Sequence, residues 1–181
     1  MTQYLAFLRG INVGGKSLIK MAALKEALEG DGFIAVKTYI QSGNVFVNTS
    51  QTSAVKVAQA ITVSIAKHFD LDVKVVAFTK QQWQEVVSDA PKWWDGDKST
   101  GWKHDLFILL PPYDMKEVMQ TLGESKPDVE NIGSGAGVIY ASLLVAKWSR
   151  TRASKLPGTP LYKQMTIRNY NTSTKLLALF D

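Results

Sequence analysis

Arg9-Gly10-Ile11-Asn12-Val13-Gly14-Gly15-Lys16-Ser17 is the stretch whose reading decides the rest. It follows an apolar run, Tyr4 to Leu8, and precedes a helical pattern. Read literally, Gly10 to Ser17 is G-x-x-x-x-G-K-S, the phosphate-cradling P-loop pattern. That reading requires a mostly parallel sheet and an acidic metal partner at a strand end. The best apolar-run-then-Asp match is Leu176 to Asp181, and the runs after the first helix resemble a hairpin. The pattern therefore points away from a nucleotide hydrolase. A glycine-rich turn and a non-hydrolytic anion loop remain. Bare amides at Gly10, Gly14 and Gly15, with Arg9 and Lys16 beside them, suit an anion.

Outward from the loop, the periodicity alternates between strand and helix. Tyr4 to Leu8 is apolar throughout, as a strand buried on both faces should be. Leu18, Met21, Leu24 and Leu28 fall at helical spacing, with Gly30 or Gly32 as the stop. Val36 to Ile40 and Val45 to Val47 flank Gln41-Ser42-Gly43-Asn44, a turn that needs positive φ at Gly43 or Asn44. Val55, Ala58, Ile61, Ile65 and Phe69 form an amphipathic helix, and Val73 to Phe78 a fourth strand. This β-α-β-β-α-β order predicts a ferredoxin-like antiparallel sheet with helices on one face.

Thr79-Lys80-Gln81-Gln82 is a capping box for a short helix with Trp83, Val86 and Val87. Pro91 to Trp102, holding Trp93, Trp94 and Trp102, reads as a linker that seals a junction. A second cycle starts at Asp105 to Leu110, stopped by Pro111-Pro112. Asp114 to Glu117 is another capping box, for a helix with Val118, Met119 and Leu122. Val129 to Ile132 and Val138 to Leu143 flank a glycine turn over Gly133 to Gly137. Pro157 to Pro160 is a loop, Met165 to Ile167 a short strand or helix turn, and Asn171 the cap of a last helix. The expected fold class is α+β, two ferredoxin-like (α-β plait) units in tandem. The expected boundaries are 1–79, a connecting helix and Trp-rich linker at 80–103, and 104–181.

Composition narrows the chemistry. The chain has 181 residues, 45% hydrophobic and 20% charged, with a net charge of +5. No stretch of about 18 apolar residues and no leader pattern is present, so no membrane partner is expected and the cytoplasm is the default. With no cysteine and only His68 and His104, neither a metal nor a cofactor is expected. From Asn131 to Phe180 there is no Asp or Glu, while Lys147, Arg150, Arg152, Lys155, Lys163, Arg168 and Lys175 fall in that span. Such asymmetry suggests a surface that meets anions. Of the 21 basic residues only Arg9, Arg150, Arg152 and Arg168 are arginines, one in the glycine loop and three in the acid-free span. Arg grips phosphate or carboxylate with a planar fork, so this clustering hints at one converging site.

The wording of three segments, "LRGINVGGK" from Leu8, "TYIQSGNVF" from Thr38 and "TIRNYNTSTKLLAL" from Thr166, resembles the bacterial family known as domain of unknown function 1697. The resemblance spans essentially the whole chain. It implies a tandem of two α-β plait units and no defined activity. Ser17 stands where the family's loop is associated with Asn, so the P-loop match rests on one residue.

The expected binding residues are Arg9, Asn12, Gly14, Gly15 and Lys16 in the loop, Gln41, Ser42 and Asn44 at the hairpin, and Arg150, Arg152, Arg168 and Asn169. Their expected partner is an anionic, phosphate-bearing small molecule. An alternative is a nucleic-acid-binding module using the basic 147–175 segment. Another is an enzyme acting on a phosphorylated substrate, although Ser42 and Ser134 have no base partner by spacing. An RNA-recognition domain is disfavoured, because its third strand carries two alternating stacking aromatics and Val45-Phe46-Val47 has one.

Overall fold

The N-terminal apolar run forms β1 (Thr2–Leu8), paired antiparallel with two neighbours. The computed structural model describes residues 1–15, 17–97 and 99–181. The chain divides into two compact units, Met1–Trp83 with Leu179–Asp181, and Gln84–Ala178.

In the first unit β1 is followed by α1 (Met21–Gly30), β2 (Ile34–Tyr39), β3 (Asn44–Thr49), α2 (Ala54–Phe69) and β4 (Val75–Thr79). The sheet order is β2-β3-β1-β4, antiparallel at each pairing. Alternation along β1 sends Tyr4, Ala6 and Leu8 into a core with Leu24, Leu28, Ile61 and Ile65 of the two helices. Phe7 points to the other face, where its ring meets Phe78 at 6.0 Å and Trp83 at 4.7 Å. Phe46 meets Phe180 edge-on at 5.1 Å. Both faces are covered, which is why the strand is apolar at every inner position. The antiparallel sheet removes the P-loop reading.

The helix after the loop begins later than its spacing suggests. Leu18 lies outside α1 and is 71% exposed, because Asn12 holds residue 19 and Ser17 adopts φ +48°. α2 is capped by Ser53 Oγ, which accepts from Lys56 N, and stops at Asp70 in the left-handed region. The capping box at α3 (Lys80–Ser88) is reciprocal: Gln82 N donates to Thr79 Oγ1 and Thr79 N to Gln82 Oε1. The division between the units falls inside α3.

The second unit contains β5 (Trp102–Leu109), α4 (Met115–Leu122), β6 (Glu130–Gly135), β7 (Val138–Leu144), β8 (Met165–Asn169) and α5 (Tyr170–Leu177). Its order, β6-β7-β5-β8, repeats that of the first. Between β7 and β8 run three 3₁₀ segments, Val145–Arg150, Ala153–Lys155 and Leu161–Gln164. Asp114 Oδ1 accepts from Lys116 N and Glu117 N at the start of α4.

Two local readings are corrected. Gly133 to Gly135 is strand, leaving only Ala136 and Gly137 as the turn. A Cβ on Gly135 would stand 2.7 Å from the Tyr140 ring and one on Gly133 3.2 Å from Trp93, so these glycines make room for aromatic rings. The cap of α5 is Asn169, whose Oδ1 accepts from Thr172 N at 2.8 Å, and Asn171 lies within the helix.

Candidate functional site

The glycine loop leaves β1 at Leu8, and its described residues form no helix or strand before α1. Gly10, Gly14 and Gly15 have φ of +72°, +60° and +74°, and Asn12 and Ser17 are also left-handed, at +54° and +48°. A Cβ added at any of the three glycines would meet no atom of the described residues within 4 Å. Packing inside the chain therefore does not demand glycine there; the backbone conformation does. Val13 is 63% exposed in this loop. Lys16 lies outside the described residues.

Asn12 is the fastening. Its Oδ1 accepts from Ile19 N at 2.9 Å, and its Nδ2 donates to Ile19 O at 3.0 Å and Gln41 O at 2.9 Å. These bonds close the loop on itself and tie it to the hairpin tip. Leu8 N donates to Gly43 O at 2.8 Å, and a Cβ on Gly43 would lie 2.8 Å from Leu8 Cβ. The loop and hairpin motifs, 29 residues apart from Asn12 to Gln41, are thus neighbours within one unit.

At the tip, Asn44 is fully buried and donates to Tyr39 O at 3.0 Å and Ser42 Oγ at 3.2 Å. Its amide shapes the turn from inside. Gln41 is exposed and Ser42 half-buried. Ile40, left-handed at φ +51°, is 49% exposed. Arg9 is half-buried and donates its backbone N–H to Lys74 O at 2.9 Å.

Arg150, Arg152, Arg168 and Asn169 belong to the second unit, and there Arg152 and Arg168 stand at opposite sheet edges. Arg152 approaches edge strand β6: its backbone N–H donates to Glu130 Oε2 at 2.7 Å and its Nε to Glu124 O at 2.8 Å. Its Nε is 3.4 Å from Glu130 Oε1, an oxygen with no hydrogen bond of good geometry. Arg168 lies on the other edge strand, β8, buried, with Nη1 donating to Thr166 Oγ1 at 2.9 Å and Ile167 O at 2.8 Å. Burial pushes its guanidinium down to about 10. Arg150 is exposed on the 3₁₀ segment.

Sequence spacing missed a serine–histidine pair. Cross-strand register places Ser142 opposite His104, with Oγ 2.7 Å from Nδ1. Nε2 lies 3.0 Å from Asp97 O and 3.6 Å from Asp95 Oδ1. Both Ser142 and His104 are buried, and Ser142 Oγ also donates to Trp93 O at 3.1 Å. The pair clasps the Trp-rich segment onto the sheet. Trp94 Nε1 adds a bond to Asp105 O at 2.9 Å. Burial pushes the Asp105 carboxyl up, against the Lys103 ammonium 2.7 Å away. Among the described residues no group of three or more His, Asp or Glu side chains is arranged to hold a metal ion, and no helix is long and apolar enough to cross a membrane.

A family profile described as "Protein of unknown function (DUF1697)" matches residues 1–140. Among curated proteins none matches significantly. Among solved structures, the conserved bacterial protein SP0830 from Streptococcus pneumoniae is similar over 99% of this chain and 98% of its own, at 26% identity and a TM-score of 0.87. The protein belongs to the domain-of-unknown-function 1697 family.

Proposed function

We propose that this family member binds a phosphate-bearing small molecule at the glycine loop and the adjoining hairpin tip. The supporting observation is the backbone of the loop: five left-handed residues, Gly10, Asn12, Gly14, Gly15 and Ser17, with no described residue packed over the three glycines. Successive left-handed turns of this kind can present backbone amides to an anion. Arg9 and Lys16 supply positive charge, and Gln41 and Ser42 supply polar groups at the rim. Asn12 and Asn44 act as scaffold, since their amides are spent on backbone and hairpin contacts. Exposed Val13 and Ile40 suit a ligand with an apolar portion. Arg150, Arg152, Arg168 and Asn169 are left out of this site. The proposed setting is the cytoplasm, in keeping with a cysteine-free chain.

Thermal melts in matched buffers with and without inorganic phosphate test the proposal. Wild type should melt higher with phosphate. Gly14→Ala should lose that rise, on top of a stability loss of about 1–2 kcal/mol from forcing a left-handed alanine. A wild type that gains nothing from phosphate, with an equal drop for the variant in both buffers, leaves the loop as a turn only.

A further inference from the structure

The first 3₁₀ segment of the second unit, Val145–Arg150, carries two large apolar side chains into solvent. Val145 is 59% exposed and Trp148 43%. One cation stands beside that indole, and two more brace its segment. Lys103 Nζ stands 5.8 Å from the Trp148 ring centroid. Lys147 Nζ donates to Asp128 O at 3.1 Å, and Lys126 Nζ donates to Arg150 O at 3.2 Å, so two ammonium groups brace the segment. Arg150 itself is exposed. The carboxylate paired with one of these cations is Asp105, buried against Lys103. The segment lies within the span that holds no Asp or Glu. Arg152 is engaged by Glu130 and Glu124 and does not join this group.

We propose that this surface binds single-stranded nucleic acid, with one base stacked on Trp148 and neighbouring phosphates on Lys126, Lys147 and Arg150. An exposed indole among cations offers the two contacts a single strand presents, a π-face and a phosphate. A duplex hides its base faces, and a short 3₁₀ segment is a poor fit to a groove read by a long helix. The first unit's sheet does not supply this platform: Phe7, Phe46 and Phe78 are buried. The surface is built by the second unit alone and does not rest on the glycine-loop proposal, so each can fail without the other.

The test is fluorescence anisotropy with a labelled single-stranded oligothymidylate and the same strand in duplex, at two salt concentrations. Wild type should bind the single strand more tightly, with a log–log salt slope near about −2 for three phosphates. Trp148→Ala should weaken binding about tenfold or more, and Trp148→Phe should restore much of it. Lys147→Glu with Arg150→Glu should weaken binding and flatten the slope. Both positions lie on the surface, and circular dichroism checks that each variant is folded. No binding by wild type at low salt overturns the proposal. So does equal affinity for duplex, or equal binding by wild type and Trp148→Ala, which would leave the ring as a contact for some other partner.

Discussion

Between β3 and β4 the first unit places the 16-residue helix α2, while between β7 and β8 the second places three short 3₁₀ segments across 145–164. The two sheets have the same strand order, but this connection differs. α2 buries Val57, Ala58, Ile61 and Ile65 along one face and satisfies its own amides. The second connection contains Pro157, Gly158 and Pro160, which preclude a continuous helix, and buries Ala153, Leu156 and Leu161 at uneven spacing. Side chains satisfy part of its backbone instead. Glu130 accepts from Arg152 N, Thr151 Oγ1 accepts from Ser154 N, and Thr159 Oγ1 accepts from Tyr162 N. One topology is thus closed once by an apolar stripe and once by polar pins. The pinned version leaves Trp148 and its cations facing water.

The contrast breaks most easily in the two cores. Ile61→Ala, at a fully buried position under α2, should cost about 2–5 kcal/mol in chemical denaturation, and Leu156→Ala should fall at the low end of that range. Equal losses would mean that the 3₁₀ connection relies on apolar packing as much as the helix does. Next comes the pin itself. Glu130→Ala should cost about 2 kcal/mol, because Arg152 N loses its acceptor while the half-exposed guanidinium can turn to water. Faster proteolysis between 145 and 164 should accompany it, and an unchanged cleavage rate would show the pin to be dispensable.

The smallest effect sharpens the helical side. Asp31 is held down to about 2, chiefly by the hydrogen bond from Lys67 at the end of α2, with Ser64 and His68 helping. Ser64 Oγ contributes as a nearby hydroxyl without a hydrogen bond of good geometry. Because the folded value lies below the ordinary 3.8, the unfolded chain takes the proton first. The contribution is complete above about pH 4 and is lost as pH falls towards 2. Asp31→Asn should flatten the melting temperature across that window by a small amount, since the group is exposed. An Asp31→Asn profile parallel to wild type would remove the link.

Much of this was legible in the sequence because it is local. The apolar runs placed the strands, and Thr79–Gln82 and Asp114 announced their helices through caps a few residues long. What was hidden depends on partners far along the chain. Gly133 and Gly135 look like turn residues until the rings of Trp93 and Tyr140 are brought beside them. Arg152 looks like a ligand fork until Glu130, 22 residues earlier, is seen under it. Leu18 fits the helical stripe, and only the Asn12 bracket explains why it stays outside. The tie from Asn12 to Gln41 is likewise something that periodicity had no means to show.

The edge-on contact of Phe46 with Phe180 fixes an order of events during synthesis. Strands β1 to β4 emerge from the ribosome first, yet one of their aromatic partners is encoded at position 180. Asp181 then joins Lys37 at 2.6 Å and Gln3 at 2.9 Å. The unit made first is therefore the unit finished last, and Phe46 waits without that partner while the second sheet is translated.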